Sequence, residues 1–161
     1  MKNILHISSL LPIGGLRDTN DIVLEIARRM DKRGYNVEFA HPSPSFPSFL
    51  KNIFPRFNRY LRVPKVTCLE GIKVRKIPYL DLPGNINIEA LAKASSNLLN
   101  NLKKFKNFDI SHSHLYFPDS VISYLLFEKH DVPYIVSLRS STISRIKNGN
   151  FLTENYFRKI I

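Results

Sequence analysis

The chain has 161 residues, 43% of them hydrophobic and 23% charged, which suits one globular domain burying roughly two thirds of its unfolded surface. Its single cysteine, Cys68, excludes an internal disulfide framework and any multi-cysteine zinc site. With 24 Lys and Arg against 13 Asp and Glu, the formal net charge is +11, and such a balance favours anionic partners: nucleic acid, a membrane surface or phosphorylated small molecules.

The opening "KNILHISSLLP" carries Ile4, Leu5 and Ile7, stops at Pro12 and reads as a buried strand. A lysine before an apolar run is one mark of a secretory signal. Here His6 and Ser8-Ser9 interrupt the run and no small-residue cleavage site follows. No stretch approaches the roughly 18 apolar residues of a membrane-spanning helix. Together with one lone cysteine, this points to a reducing cytoplasm.

Gly14 and Gly15 follow, then "DTNDIVLEIARRMDKRG" sets Ile22, Val23, Ile26, Ala27 and Met30 on one helical stripe. Asp18 or Thr19 can cap its start, and Gly34 can end it in the left-handed conformation. "YNVEFA" resumes as a second strand, so the first 40 residues or so spell a βαβ unit. From 41 to 70, Pro42, Pro44, Pro47, Pro55 and Pro64 are expected to break any long regular element.

"GIKVRKIPY" has period two and predicts a third strand; a helix is expected from about Ile86 to Phe105, with Ile88, Leu91, Ser95, Leu98, Leu102 and Phe105 on its stripe. "FDISHSH" is a fourth strand, Pro118 suits the first turn of the helix in "DSVISYLLFEKH", and "VPYIVSLRSS" is a fifth strand. Alternating strands and helices predict an α/β, Rossmann-like fold: a parallel sheet with helices on both faces, one domain over residues 1–161. "FLTENYFRKII" reads as a helix cut off rather than a finished tail.

Three places carry candidate chemistry. In an open parallel sheet, ligands bind beyond the carboxyl ends of the strands. Gly14 and Gly15 fall there, ahead of a helix whose free amides and dipole favour phosphate. However, "PIGGLR" lacks the GxGxxG spacing, no Walker A pattern is present, and a plain tight turn explains the same pair.

His112 and His114, two apart on one strand, share a face. A zinc site would need further ligands; His6, His41, His130 and scattered acids show no spacing that gathers them, so no metal is expected. His114, nearer the strand's end, is the one a substrate could reach, whereas His112 is expected to hydrogen-bond within the structure. A polar binding role and a purely structural one both remain open for His114.

The third place is "FLKNIFPRFNRYLRVPK", which mixes Phe49, Leu50, Ile53, Phe54, Phe57, Tyr60 and Leu61 with Lys51, Arg56, Arg59, Arg62 and Lys65 and no acid. It suits anionic lipid or single-stranded nucleic acid. A solvated loop whose apolar members pack on their own domain is the plain alternative.

"ILHISSLLPIGGLRDTNDIVLEIARRMDKRGYNVEFA" resembles the opening of the retaining GT-B glycosyltransferases of family 4: strand, glycine loop, long helix and an "RGH.V" return, here "RGYNV". "FDISHSHLYFPDSVISYLLFEKHDVPYIVSLRSS" resembles the same family's "DvvHaH" strand, helix and "P.v.t.HG" strand. The likeness spans nearly the whole chain, most weakly in the proline-rich middle.

The resemblance implies the N-terminal, acceptor-side half of a two-domain enzyme. The C-terminal half that grips the nucleotide-sugar would be missing, and this chain would be inactive alone. It implies further that Gly14 and Gly15 approach the donor phosphates and that His114 lies beside the transferred sugar. No cofactor is implied. Arg139-Ser140 replaces the usual His-Gly at the third strand end; arginine cannot act as acid or base near neutrality but can hold an anion. The expected activity is sugar transfer, of hexosyltransferase type, from a nucleotide-sugar to a glycan or lipid-linked acceptor in polysaccharide biosynthesis. Arg56, Arg59 and Arg62 would dock the protein peripherally on the inner membrane face. Two rivals are a non-enzymatic anion- or nucleic-acid-binding module, for which no RNA-binding motif is visible, and the N-terminal half of another GT-B enzyme such as an epimerase or phosphorylase.

Overall fold

The computed structural model describes residues 1–13, 21–45, 62–80 and 96–138. In chain order these form β1 (Asn3–Ile7), α1 (Asp21–Lys32), β2 (Asn36–Ser45), β3 (Val66–Leu69), β4 (Ile72–Leu80), α2 (Ser96–Leu102) running into a 3-10 turn (Lys103–Phe105), β5 (Ile110–Ser113), a wide turn (Tyr116–Ser120), α3 (Val121–His130) and β6 (Tyr134–Val136). The strands make one sheet in the order β3-β4-β2-β1-β5-β6. Every pairing is parallel except β3 with β4. This is the α/β, Rossmann-like sheet that the alternating pattern predicts.

Period two sorts the side chains onto the two faces. Val37 and Phe39 of β2 and Ile72 and Val74 of β4 join Val23, Leu24 and Ala27 of α1 in one apolar cluster. Leu5 and Ile7 of β1, Ala40 of β2 and Ile77 of β4 join Leu98, Leu102 and Phe105 around α2, and Val121, Ile122, Leu125 and Leu126 of α3, in a second. The helices therefore lie on both faces, each hiding one apolar stripe. The stripe of α1 is turned from its expected setting: Leu24 is buried and Ile22 is 60% exposed. The contact face centres on Val23 and Ala27, and Leu24 flanks it one turn behind Ala27.

Gly34 ends α1 as expected, at φ +85°. Its N–H donates to Asp31 O at 2.8 Å and the Tyr35 N–H to Met30 O at 3.3 Å, the paired bonds of a Schellman cap. Of the expected helix over 86–105, Ser96–Leu102 is described and buries Leu98, Leu102 and, just beyond it, Phe105; positions 86–95 and the proposed caps Asp18 and Thr19 lie outside the described residues. Pro118 sits in the wide turn, after a cis bond from Phe117, and α3 begins only at Val121.

Two findings differ from the sequence expectation in the middle of the chain. β2 runs through Pro42 and Pro44 to Ser45. β1 ends level with Ala40, at the pairing Ile7↔Ala40. Because the Ala40 carbonyl accepts from the Ser8 N–H, residues 42 and 44, of the same parity, turn their backbone nitrogens towards that vacated side. The N–H groups that proline lacks are not needed there. The second finding is the extra strand β3, joined to β4 by Glu70 and Gly71 at φ 51° and 86°. Two successive positive φ values make the twisted two-residue turn that hairpins favour.

Candidate functional site

All five strands other than β3 run the same way, so the chain leaves β1, β5 and β6 at one rim. Three backbone bonds carry the ladder past the strand ends: Ser8 N–H to Ala40 O (3.1 Å), His114 N–H to Ile7 O (3.1 Å) and Ser137 N–H to Ser113 O (2.8 Å). The chain after β1 is anchored at this rim by Asp119, a buried carboxylate whose Oδ1 accepts the Ser9 N–H at 3.1 Å.

Register then gathers three imidazoles. His6 pairs with His112 across β1 and β5, and His114, two residues on, shares their face. The ring centroids lie 5.4 Å (His6–His112), 5.1 Å (His6–His114) and 4.2 Å (His112–His114) apart. Nδ1 of His6 stands 2.8 Å from Nε2 of His114. Nε2 of His112 stands 2.7 Å from the Ser137 hydroxyl.

The expected exposures of the pair are reversed. His114 is 1% exposed and His112 is half-buried. His114 lies past the end of β5, but its ring turns inward onto His6 instead of outward over the rim. Burial, and secondarily His112, push the His6 pKa down from 6.5 to about 3. Burial also lowers His112. His41 of β2 is buried beside them with Nδ1 3.0 Å from Ser8 O; burial pulls its pKa down to about 4 against the opposing pull of that bond. His6 and His41 are neutral near pH 7.

One nitrogen from each of His6, His112 and His114 falls within 4.8 Å of the others, a set that a zinc-like ion accepts. Two ligands of a tetrahedral zinc would lie roughly 3.3 Å apart, given bonds of about 2.0–2.1 Å. The shorter His6–His114 separation of 2.8 Å is that of a hydrogen bond.

Behind the rim, Ser111, Ser113 and Ser123 form a buried hydroxyl chain. Ser113 Oγ donates to Asp119 O at 2.9 Å, so Ser123 donates to Ser113 at 2.6 Å and Ser111 donates to Ser123 at 3.1 Å, one proton per hydroxyl. This chain ties β5 to α3 and to the turn carrying Asp119.

The profile of Glycosyltransferase Family 4 matches residues 20–160. The chain belongs to glycosyltransferase family 4. No curated protein matches it. Membership of family 4 implies a nucleotide-sugar donor and a glycan acceptor. Among the described residues no helix is long and apolar enough to cross a membrane.

Of the site residues named from the family 4 resemblance, His114 is at the rim, while Gly14, Gly15, Arg139 and Ser140 lie outside the described residues. Ile13, with its N–H 2.8 Å from Leu11 O, and Leu138 are the last described residues before them. In the basic segment, Arg56 and Arg59 lie outside the described residues and Arg62 is exposed. Sequence reasoning named His6 and His41 only as histidines that no spacing gathers, and it did not single out Asp119; the structure corrects this for His6, which strand pairing sets against His112 and His114. The signal for His6 is a histidine at the centre of an apolar strand, at a position that strand order sets opposite His112.

Proposed function

We propose that this family 4 chain is the acceptor-side, N-terminal half of a retaining GT-B glycosyltransferase. It would transfer a hexose from a nucleotide-sugar to a glycan or lipid-linked acceptor in polysaccharide biosynthesis. A second lobe would supply the nucleotide-sugar site, and residues 1–161 alone would be inactive because such clefts form between domains. The observation that supports this most is the rim itself. The imidazole pair of β5, the outgoing chain of β1 that leads to Gly14 and Gly15, and the end of β6 that leads to Arg139 and Ser140 all leave one edge of a parallel sheet, where such folds bind ligands.

Sugar transfer leaves negative charge on the departing phosphate. Backbone amides at Gly14 and Gly15, a helix start and the Arg139 guanidinium suit its stabilisation. A retaining transfer needs no strong protein base, since a donor phosphate oxygen can take the acceptor's proton. His114 then holds and orients the sugar by hydrogen bonding. His112 is the second candidate for that contact, on the specific ground that it is the more exposed of the two.

The test is transfer from nucleotide-sugars by the full-length protein, with His114→Ala and His112→Ala compared. A loss confined to His114→Ala supports the assignment, a loss confined to His112→Ala moves the contact to His112, and full activity in both refutes it. Transfer by residues 1–161 alone would refute the requirement for a second lobe.

The basic segment would hold the protein on an anionic membrane face, in the cytoplasm. Arg62 leads into Lys65, which with Arg75, Lys76 and Lys104 lines a concavity of about 490 Å³ between β3, β4 and α2, a cationic surface on the β3–β4 side of the sheet.

A further inference from the structure

We propose that His6 is a positioning residue for His114: by donating its Nδ1–H to Nε2 of His114, it holds that imidazole in the tautomer that carries its proton on Nδ1. The consequence for sugar transfer rests on the proposed role of His114; the tautomer itself does not.

The geometry leaves two assignments for the 2.8 Å contact. Both rings are buried, at 0% for His6 and 1% for His114, and a neutral imidazole carries one proton. If His114 donated, the His6 proton would sit on Nε2. That atom is buried and has no hydrogen-bond partner among the described residues, and a buried N–H without an acceptor is the rarer and costlier orphan. If His6 donates from Nδ1, Nε2 keeps a bare lone pair, which burial tolerates better. His114 then accepts at Nε2 and its one proton lies on Nδ1, so any contact from Nδ1 to a sugar hydroxyl oxygen would be made as a donor.

The arrangement is fixed from several sides. The two rings are nearly parallel, 25° apart. His6 is clamped in β1 between β2 and β5. The backbone of His114 is held by Ile7 O, the neighbour of His6. A residue deciding which nitrogen of its neighbour is protonated is the usual task of a group placed behind a working histidine.

The test is nitrogen-15 NMR of histidine-labelled residues 1–161 near neutral pH. The expected spectrum shows His114 protonated at Nδ1 and unprotonated at Nε2; the opposite tautomer overturns the proposal. His6→Asn, whose amide can place an N–H where Nδ1–H stood, should keep that tautomer, and His6→Leu should let His114 exchange between both. A His114 tautomer indifferent to His6→Leu also overturns it. Should His6→Leu fail to fold, the wild-type and His6→Asn spectra decide the matter.

In the full-length protein, His6→Leu should lower kcat by about tenfold or more with little change in KM, and His6→Asn should restore most of it. If the wild-type protein transfers no sugar while the spectra are as expected, the glycosyltransferase site fails and the His6 assignment stands.

Discussion

Acid should unfold this domain through two buried histidines before its carboxylates protonate. His6 and His41 have pKa values pushed by burial from 6.5 to about 3 and about 4. Their folded values lie below their unfolded ones, so below about pH 6.5 the unfolded chain binds protons that the folded chain refuses, and stability falls with pH. The loss begins as pH drops through the unfolded value and stops growing only below about pH 3–4, where the folded forms protonate too. At about pH 5 each histidine accounts for about 2 kcal/mol, at about 1.4 kcal/mol per pH unit below the unfolded value. The pair together removes about 4 kcal/mol, a large part of the 5–15 kcal/mol typical of a domain. Urea unfolding at about pH 7.5 and about pH 5 would measure it, with His6→Gln and His41→Gln each recovering about half of the difference, whatever their stability at pH 7.5. If the double variant lost as much stability on acidification as the wild type, the two histidines would not be the acid-sensitive groups and the linkage would be wrong.

Other outcomes follow from single features. Ser123→Ala removes the hydroxyl that links Ser111 to Ser113 and should cost about 1–3 kcal/mol in chemical denaturation. Gly34→Ala places its methyl in open space but forces an L-residue to φ +85°; the cost should be about 1–2 kcal/mol of backbone strain, and a neutral substitution would contradict that conformation. Replacing Arg56, Arg59 and Arg62 with Ser should weaken sedimentation with anionic vesicles at low salt, and unchanged binding would remove the membrane role.

The fold was legible where periodicity was strong. Ile4, Leu5 and Ile7 mark β1, Gly34 marks the end of α1, and Leu98, Leu102 and Phe105 mark the buried side of α2 and its turn. It was least legible where one residue type carries two meanings. Pro42 and Pro44 look like breakers, yet they sit in a strand because the neighbouring strand has already ended beside them. Glu70-Gly71 is a hairpin turn without the usual Asn-Gly or Asp-Gly signal, so β3 passed for loop. Ile22 and Leu24 trade places because a stripe read from apolar positions alone cannot fix the helix's rotation.

The candidate site shows the same limit at the level of chemistry. The spacing of His112 and His114 says that they share a face, and strand periodicity can say no more. Which of the two is reachable depends on a third ring, over 100 residues away in the chain (|i−j| = 108). Strand order is what brings it there: β5 pairs directly with β1, and the register aligns His6 with His112. His114 is then one step further along the same face, close enough for its ring to fold back onto His6. Had β5 slipped by one residue, His112 and His114 would turn to the side of Ser123 of α3, and Ser111 and Ser113 would face His6. The hydroxyl chain on one side of β5 and the imidazole cluster on the other therefore specify the same register, and each polar set keeps its contacts only when the other is in place.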